Sequence, residues 1–412
     1  MINRPDYIEK LFSFKDKPLI KIITGVRRCG KSTLLELYQA ELLRKNIAHE
    51  QIQSINLEDL DNEPLKQYKK LHDRITAKLV KNKKNYIFLD EVQTVPDFGK
   101  VVDSLYLKKN VDIYLTGSNS RMQSRDIANQ IERQYVTIHM FPLSFREYTS
   151  AHPDSAVPDR VYDDYVQYGS FPMILNLFGS AGRKEYDPLV KNYLSDLYDK
   201  IVLKDIVENK GISNISRLES VIRFMANVIG SEISINNISA TMTHDGRKID
   251  THTIENFINA FCDSFILYKA NRYDVKGKKL LKTLNKYYIV DPGLRRHLLG
   301  TKNTDMGHIL ENVVFLELLR RGYTVYIGKV GEQEVDFVAE GPNGTEYYQV
   351  AQTVRDKNTL QRELAPLDAI RDHHPKILLT RDYDSNISHN GIKQHNVLDW
   401  LSGNTVKSGF NP

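Results

Sequence analysis

The sequence predicts an α/β protein: a parallel sheet wrapped by helices comes first, and a helical middle leads to a second, smaller α/β region. Three observations predict this. Residues 18–139 alternate short apolar runs with helical patterns, as parallel sheets require. Residues 25–33 read Gly-Val-Arg-Arg-Cys-Gly-Lys-Ser-Thr, a glycine-bearing turn between an apolar strand and a helix. Residues 301–412 return to alternating strands and helices after the helical middle.

The first strand is Pro18–Thr24. The helix after the turn carries Leu34, Leu35, Tyr38 and Leu42 on one face. Between them the spacing is G-x-x-x-x-G-K-[ST], a phosphate loop. Gly25 and Gly30 let the backbone curl, so that several N–H groups converge on phosphate oxygens. Lys31 is placed to reach the β and γ phosphates. Ser32 is placed to ligate Mg²⁺, with Thr33 beside it. The following helix offers its positive N-terminal end to the same anion.

Ile52–Leu57 predicts a second strand. Tyr86–Asp90 is an apolar strand ending in two acids, Asp90 and Glu91. Val111–Thr116 is a fourth strand, followed by Gly117-Ser118-Asn119, and Tyr135–His139 is a fifth. Ligands of such sheets bind beyond the carboxyl ends of the strands, where Lys31, Asp90, Glu91 and Asn119 are expected. Asp90 suits Mg²⁺, held through its water shell. Glu91 suits a water aimed in line at the γ phosphorus, which it would polarise or orient. Asn119 suits positioning the same water or sensing the γ phosphate, and equally suits a turn residue after Gly117. The expected cofactors are ATP and Mg²⁺.

At these residues the chain resembles a family. Gly25–Thr33, Phe88-Leu-Asp-Glu-Val-Gln93, Leu115-Thr-Gly-Ser118 and Phe141-Pro-Leu-Ser-Phe-Arg-Glu-Tyr148 are similar to AAA-type ATPases of bacteria and archaea that carry an extra C-terminal domain. The resemblance runs over nearly the whole chain. It implies an AAA+ core, residues 1–150, of the additional-strand class with a catalytic glutamate, where Glu91 matches. It also implies a homo-oligomeric ring, with a hexamer the expected count, in which an arginine reaches a neighbour's site. Arg133, just before the fifth strand, is the best-placed arginine, and Arg121 and Arg125 are alternatives.

A Pro-rich break at 152–158 opens mostly helical sequence to about residue 210. Its position matches the helical lid of such ATPases. Residues 211–300 then give three helical patterns, with Leu218, Val221, Ile222, Met225 and Ile229 on one face of the first. Two strands follow around Lys276-Gly-Lys-Lys279. Three helices and a two-stranded wing predict a winged helix-turn-helix. Lys276, Lys278, Lys279 and Lys282 make the wing basic, which suits a DNA backbone. A solvated hairpin that docks a protein fits the same residues.

Residues 301–412 read helix, three strands, helix, strand. That order is similar to the PD-(D/E)XK, restriction-endonuclease-like core. The resemblance places two acids on Mg²⁺ and a lysine two positions after the second acid. Glu311 and Asp336 match the acidic positions, but the third position is the neutral Gln349 and the lysine position is Ala351. Lys357 stands near enough in sequence to replace the lysine. The expectation is a domain that does not cut and that keeps a DNA-binding surface or an oligomer contact.

Composition adds little. Fifty-seven basic against 52 acidic residues leave a net charge of +5, compatible with nucleic acid without establishing it. Cys29 and Cys262 have no zinc or disulfide spacing. The N-terminus does not read as a signal peptide, and no apolar run is long enough for a membrane span. A cytoplasmic protein with DNA as partner and no membrane contact is expected. The function expected is ATP hydrolysis coupled to DNA handling, on branched or structured duplex. A signalling or defence switch that docks a protein, or an active ATP-regulated nuclease, are the alternatives.

Overall fold

In the computed structural model of the chain, every residue is described except 1, 118–129, 153–154, 179–182, 209–210, 245, 301–304, 385–386 and 405–412. The chain forms two compact units. The first is Met1–Pro142 with Leu203–Asp205 and Asp263–Phe265. The second is Leu143–Val202, Ile206–Cys262 and Ile266–Pro412.

The first unit is built on five parallel strands, β1 (Ile20–Thr24), β2 (Ile52–Asn56), β3 (Asn85–Asp90), β4 (Val111–Gly117) and β5 (Tyr135–His139). Their order is β2-β3-β4-β1-β5, so β4 lies between β1 and β3. Strands β1, β3 and β4 are buried at every position. Helices cover both faces of such a sheet, which is why these strands read as continuous apolar runs. Helices α1 (Pro5–Ser13), α2 (Lys31–Arg44), α3 (Tyr68–Thr76) and α4 (Phe98–Tyr106) do the covering. Leu71, Ile75, Phe98, Val101 and Leu105 pack with Ile22, Ile87, Leu89 and Leu115. Lys21 is the charged residue inside β1; its ammonium pairs with Asp112 of β4, and both are buried.

The second unit opens with α5 (Phe145–Ala151). Ser144 and Glu147 form a reciprocal capping box, each side chain taking the other's backbone N–H. This gives the Pro-Leu-Ser-Phe-Arg-Glu segment a physical reason: it starts a helix at a fixed angle. Helices α6 (Pro158–Tyr168), α7 (Pro172–Phe178) and α8 (Arg183–Lys200) follow, and α8 runs into a π-helical turn, Ile201–Glu208. Then come α9 (Ile215–Asn227), α10 (Ile235–His244) and α11 (Thr251–Asp263). Helix α9 buries the predicted stripe of Leu218, Val221, Ile222 and Met225, and α11 buries Ile254, Phe257, Ile258 and Phe261 at the same helical period.

The hairpin of β6 (Leu267–Asp274) and β7 (Lys279–Ile289) does not stand apart from the C-terminal region. Arg272–Asp274 pair in parallel with Ile327–Lys329 of β8 (Thr324–Val330). The sheet continues through β9 (Gln333–Gly341), β10 (Gly344–Ala351) and β11 (Lys376–Thr380) to β13 (Ile392–Asn396) and β12 (Ile387–His389). Eight strands therefore run in the order β12-β13-β11-β10-β9-β8-β6-β7, one sheet with β6 and β7 before residue 300 and the other six strands after it. Pairing β6 with β8 satisfies backbone groups that a free edge would leave open. Helices α12 (Pro292–Leu299), α13 (Met306–Arg320), α14 (Lys357–Asp368) and α15 (Val397–Ser402) complete the unit.

Candidate nucleotide site

The site of the first unit starts from the backbone of residues 25–30. Gly25, Arg28 and Gly30 all have positive φ, at 149°, 63° and 106°. Such alternation turns successive N–H groups toward one concave face. A Cβ on Gly25 would stand 2.1 Å from the Met140 carbonyl oxygen, so only glycine fits. The nearly buried Arg4 braces the loop, donating to Cys29 O at 3.2 Å and Phe141 O at 2.9 Å. Helix α2 begins at Lys31, leaving the first backbone donors of the helix at the loop's mouth.

Lys31 is only 4% exposed, and its ammonium donates to Gly25 O at 3.1 Å and Val26 O at 3.3 Å. Asp90 ends β3. Burial pushes its carboxyl up, and the hydroxyls of Ser32 and Thr116 hold it down. Thr116 Oγ1 donates to Asp90 and accepts the Glu91 N–H at 2.9 Å. Glu91 has φ 54°, a left-handed conformation that costs a non-glycine residue about 1–2 kcal/mol. Backbone strain of this kind gathers at functional sites. The Thr116 bond holds it and leaves Glu91 8% exposed. A buried carboxylate beside a serine hydroxyl at the end of a phosphate loop fits Mg²⁺ held by Ser32 and Asp90. The glycine cradle, Lys31 and the start of α2 fit a polyphosphate. When bound, Mg²⁺ would supply charge neutralisation at the phosphate oxygens.

Lys31, Ser32, Asp90 and Glu91 are thus gathered at the carboxyl ends of β1 and β3. Asn119, Arg121 and Arg125 lie outside the described residues. Arg133 precedes β5, whose first residue pairs with Ile20 at the start of β1. It therefore stands at the opposite edge of the sheet from Lys31, and its Nε is buried with no hydrogen-bond partner. Sequence reasoning missed Thr116, Arg27 and Asp205. Arg27 makes a two-pronged bond to Asp205, with Nε and Nη2 each 3.0 Å from a carboxylate oxygen. No pattern joins residues 178 positions apart.

In the second unit, Lys276, Lys278 and Lys279 are exposed at the β6–β7 turn, where Asp274 accepts the Gly277 N–H at 3.1 Å. The side chain of Lys282 lies outside the described residues. Helix α11 contains no lysine or arginine, and its exposed residues include Thr251, His252, Glu255, Asn256 and Asn259.

Glu311, Asp336 and Gln349 do converge. Asp336 accepts the Val350 N–H at 2.8 Å, and Gln349 Oε1 accepts the Asp336 N–H at 3.3 Å. Burial and then the Glu311 charge push the Asp336 carboxyl well up. The cluster also holds a lysine that spacing did not reveal. Lys286, from β7, lies 3.2 Å from Glu311 and 2.6 Å from Glu334, and Tyr288 donates to Glu311 at 2.6 Å. Burial pushes Lys286 down, but Glu311, Glu334 and Asp336 outweigh it and hold the ammonium above its ordinary range. Asn312 fixes this geometry, exchanging two bonds with the backbone of Ile289 at 2.7 and 2.9 Å. Ala351 ends β10, and Lys357 is exposed at the start of α14. Among the described residues, no group of three or more His, Cys, Asp or Glu is arranged to hold a metal ion.

The fold and the phosphate loop define the first unit as a nucleotide-binding module of the AAA class. Residues 17–149 match the AAA domain family, and residues 159–305 match a domain of unknown function (DUF8612). The chain belongs to a family of AAA-domain proteins shared with an uncharacterized protein of Haemophilus influenzae. That relative is 38% identical over 97% of this chain and 98% of its own length. An uncharacterized protein of Methanocaldococcus jannaschii is 30% identical over 86% of this chain and 79% of its own. Among solved structures, C. elegans PCH-2 overlaps 39% of this chain and 45% of that one, at 15% identity and a TM-score of 0.27. Drosophila ORC bound to AT-rich DNA and Cdc6 overlaps 71% and 89%, at 11% identity and a TM-score of 0.23. Overlaps that slight carry no functional argument.

Proposed function

We propose that this protein is a Mg²⁺-dependent AAA+ ATPase that couples ATP hydrolysis to binding or remodelling DNA, on branched or structured duplex. The observation that carries the ATPase reading is the convergence of Lys31, Ser32, Asp90 and the strained Glu91 around one glycine cradle. In this reading Lys31 balances the β and γ phosphate charge, and Ser32 and Asp90 hold the metal. Glu91 orients and polarises the attacking water. Charge stabilisation and positioning supply most of the rate in such transfers. The protein acts as a cytoplasmic homo-oligomeric ring, and Arg133 serves a neighbour's site rather than its own.

The DNA reading is supported by the exposed Lys276, Lys278 and Lys279 at the wing tip. A second reading, a nucleotide-controlled switch that docks a protein, is favoured by one observation. The exposed face of α11, the helix that would enter a groove, carries no lysine or arginine. The C-terminal region acts as a nuclease-like domain without nuclease activity. Gln349 and Ala351 support this, and so does Lys286, whose ammonium already pairs with Glu311, one of the two acids a metal would need. The test is phosphate release with single-strand, duplex, fork and four-way DNA. Stimulation by DNA supports coupling to DNA, whereas a rate indifferent to all four favours the switch. Cleavage of labelled branched DNA with Mg²⁺, lost in Asp336→Ala, would restore the nuclease.

A further inference from the structure

Position 27 is one of the four unspecified places in the phosphate loop, yet its side chain is tightly engaged. Arg27 Nε and Nη2 each lie 3.0 Å from an oxygen of Asp205, and Nη1 lies 3.7 Å from Glu58 Oε1 beyond β2. The Arg27 and Asp205 side chains are 15% and 3% exposed, so water screens the pair weakly. A forked bond of this kind is the strongest a guanidinium makes with a carboxylate. Burial weakens the Arg27 guanidinium's hold on its proton and Asp205 more than restores it, leaving the guanidinium above its ordinary range. Asp205 belongs to the first unit although it lies in the π-helical turn Ile201–Glu208. Local π geometry is rare and concentrates at functional sites.

The charge of Glu91 acts on Asp205. Burial pushes the Asp205 carboxyl up, Arg27 pulls it down, and the Glu91 charge pushes it up again. Lys31 acts on Asp205 as well. Arg27 and Lys31 therefore act together with Asp205 and Glu91 around the loop, with the partly exposed Glu58 3.7 Å from Arg27 at its edge. Phosphates entering the loop add negative charge there. They repel Asp205 and attract Arg27, which sits on the loop itself.

We propose that Arg27 and Asp205 form a nucleotide-sensing latch, in which Asp205 holds Arg27 and nucleotide phosphates compete with Asp205 for it. The inference rests on the nucleotide-binding reading above. A ligand shifts an equilibrium only through its different affinity for two states, and the two partners of Arg27 supply that difference. Binding of phosphate then frees the turn at 201–208. By reciprocity, anything that frees Arg27 from Asp205 tightens nucleotide binding. A passive brace predicts the opposite sign, because breaking it would loosen the loop.

The test is titration of the full-length protein with a fluorescent ATP analogue and Mg²⁺. Asp205→Asn should bind at least about fivefold more tightly than wild type, the lower end of ordinary coupling between sites. In an Arg27→Ala background the same change should gain little. Unchanged or weaker binding by Asp205→Asn would overturn the latch, and so would an equal gain in both backgrounds, which would mean plain repulsion. Hydrogen exchange of residues 201–208 in the wild type is the second measurement and needs no variant to fold. It should quicken on adding the nucleotide, and slowing or no change overturns the inference. If the wild type binds no nucleotide at all, the functional reading fails and the latch with it. Binding without these responses removes the latch alone.

Discussion

His139 closes β5 beside the phosphate loop, with Nδ1 3.3 Å from Thr24 Oγ1 and its ring edge-on to Phe141. Burial, then the positive charge of Lys31, pushes the imidazole down to about 3. In an unfolded chain it titrates near about 6.5. As pH falls below that value, the unfolded state takes up the proton first. Stability from this residue is therefore complete above about pH 6.5 and is lost as pH falls toward about 3. His139→Gln should flatten that loss. Denaturant titrations at pH 7 and pH 5 check it, and equal losses in variant and wild type would contradict the assignment. At this scale the sequence is legible where chemistry is local. Gly25, Gly30, Lys31 and Ser32 sit in one turn, and Asp90 and Glu91 end one strand. Thr116, which holds both acids, lies on β4, and Asp205 lies on a distant turn. Only the folded chain brings them in.

The β6–β7 hairpin is an edge of the eight-stranded sheet, so its lysines also discourage pairing with another chain. If they bind DNA backbone, replacing Lys276, Lys278 and Lys279 with alanine should weaken binding alike for every sequence. The slope of log affinity against log salt should fall by up to about three units, near one per lost contact. Unchanged affinity across several salt concentrations would remove the wing from the interface. Lys286, on the same hairpin, faces inward. Lys286→Met leaves Glu311 and Glu334 without their shared cation and should destabilise the second unit by about 3–5 kcal/mol. Lys276→Ala, on the exposed turn, should cost about 0.5 kcal/mol or less. Comparable losses in denaturant would mean that Lys286 is no keystone. Helices α9 and α11 were legible because a 3.6-residue apolar stripe marks each one. The parallel pairing of Arg272–Asp274 with Ile327–Lys329 was not, because periodicity reports a strand's faces and not its neighbour.

Across the whole molecule, the five-stranded parallel core was legible from alternation, whereas the way the wing merges with the C-terminal sheet was not. Among the described residues no helix is long and apolar enough to cross a membrane. Arg133 precedes β5 at the end of the sheet opposite Lys31, so the proposed role for it is in a neighbouring subunit's site. Arg133→Ala should bind ATP and hydrolyse it slowly, and mixing it with Lys31→Ala should restore part of the rate. No rescue, with a monomer by light scattering in ATP, would contradict a shared site. The central claim is that the Gly25–Thr33 loop binds ATP and Glu91 drives its hydrolysis. It is tested most directly by measuring ATP-analogue affinity and phosphate release together for wild type, Lys31→Ala and Glu91→Gln. Lys31→Ala should lose most of its affinity, because a charge shared by two phosphates is gone. Glu91→Gln should bind like wild type and release at least about a hundredfold less phosphate, the lower range for a positioned base. Wild-type turnover by Glu91→Gln would contradict the account.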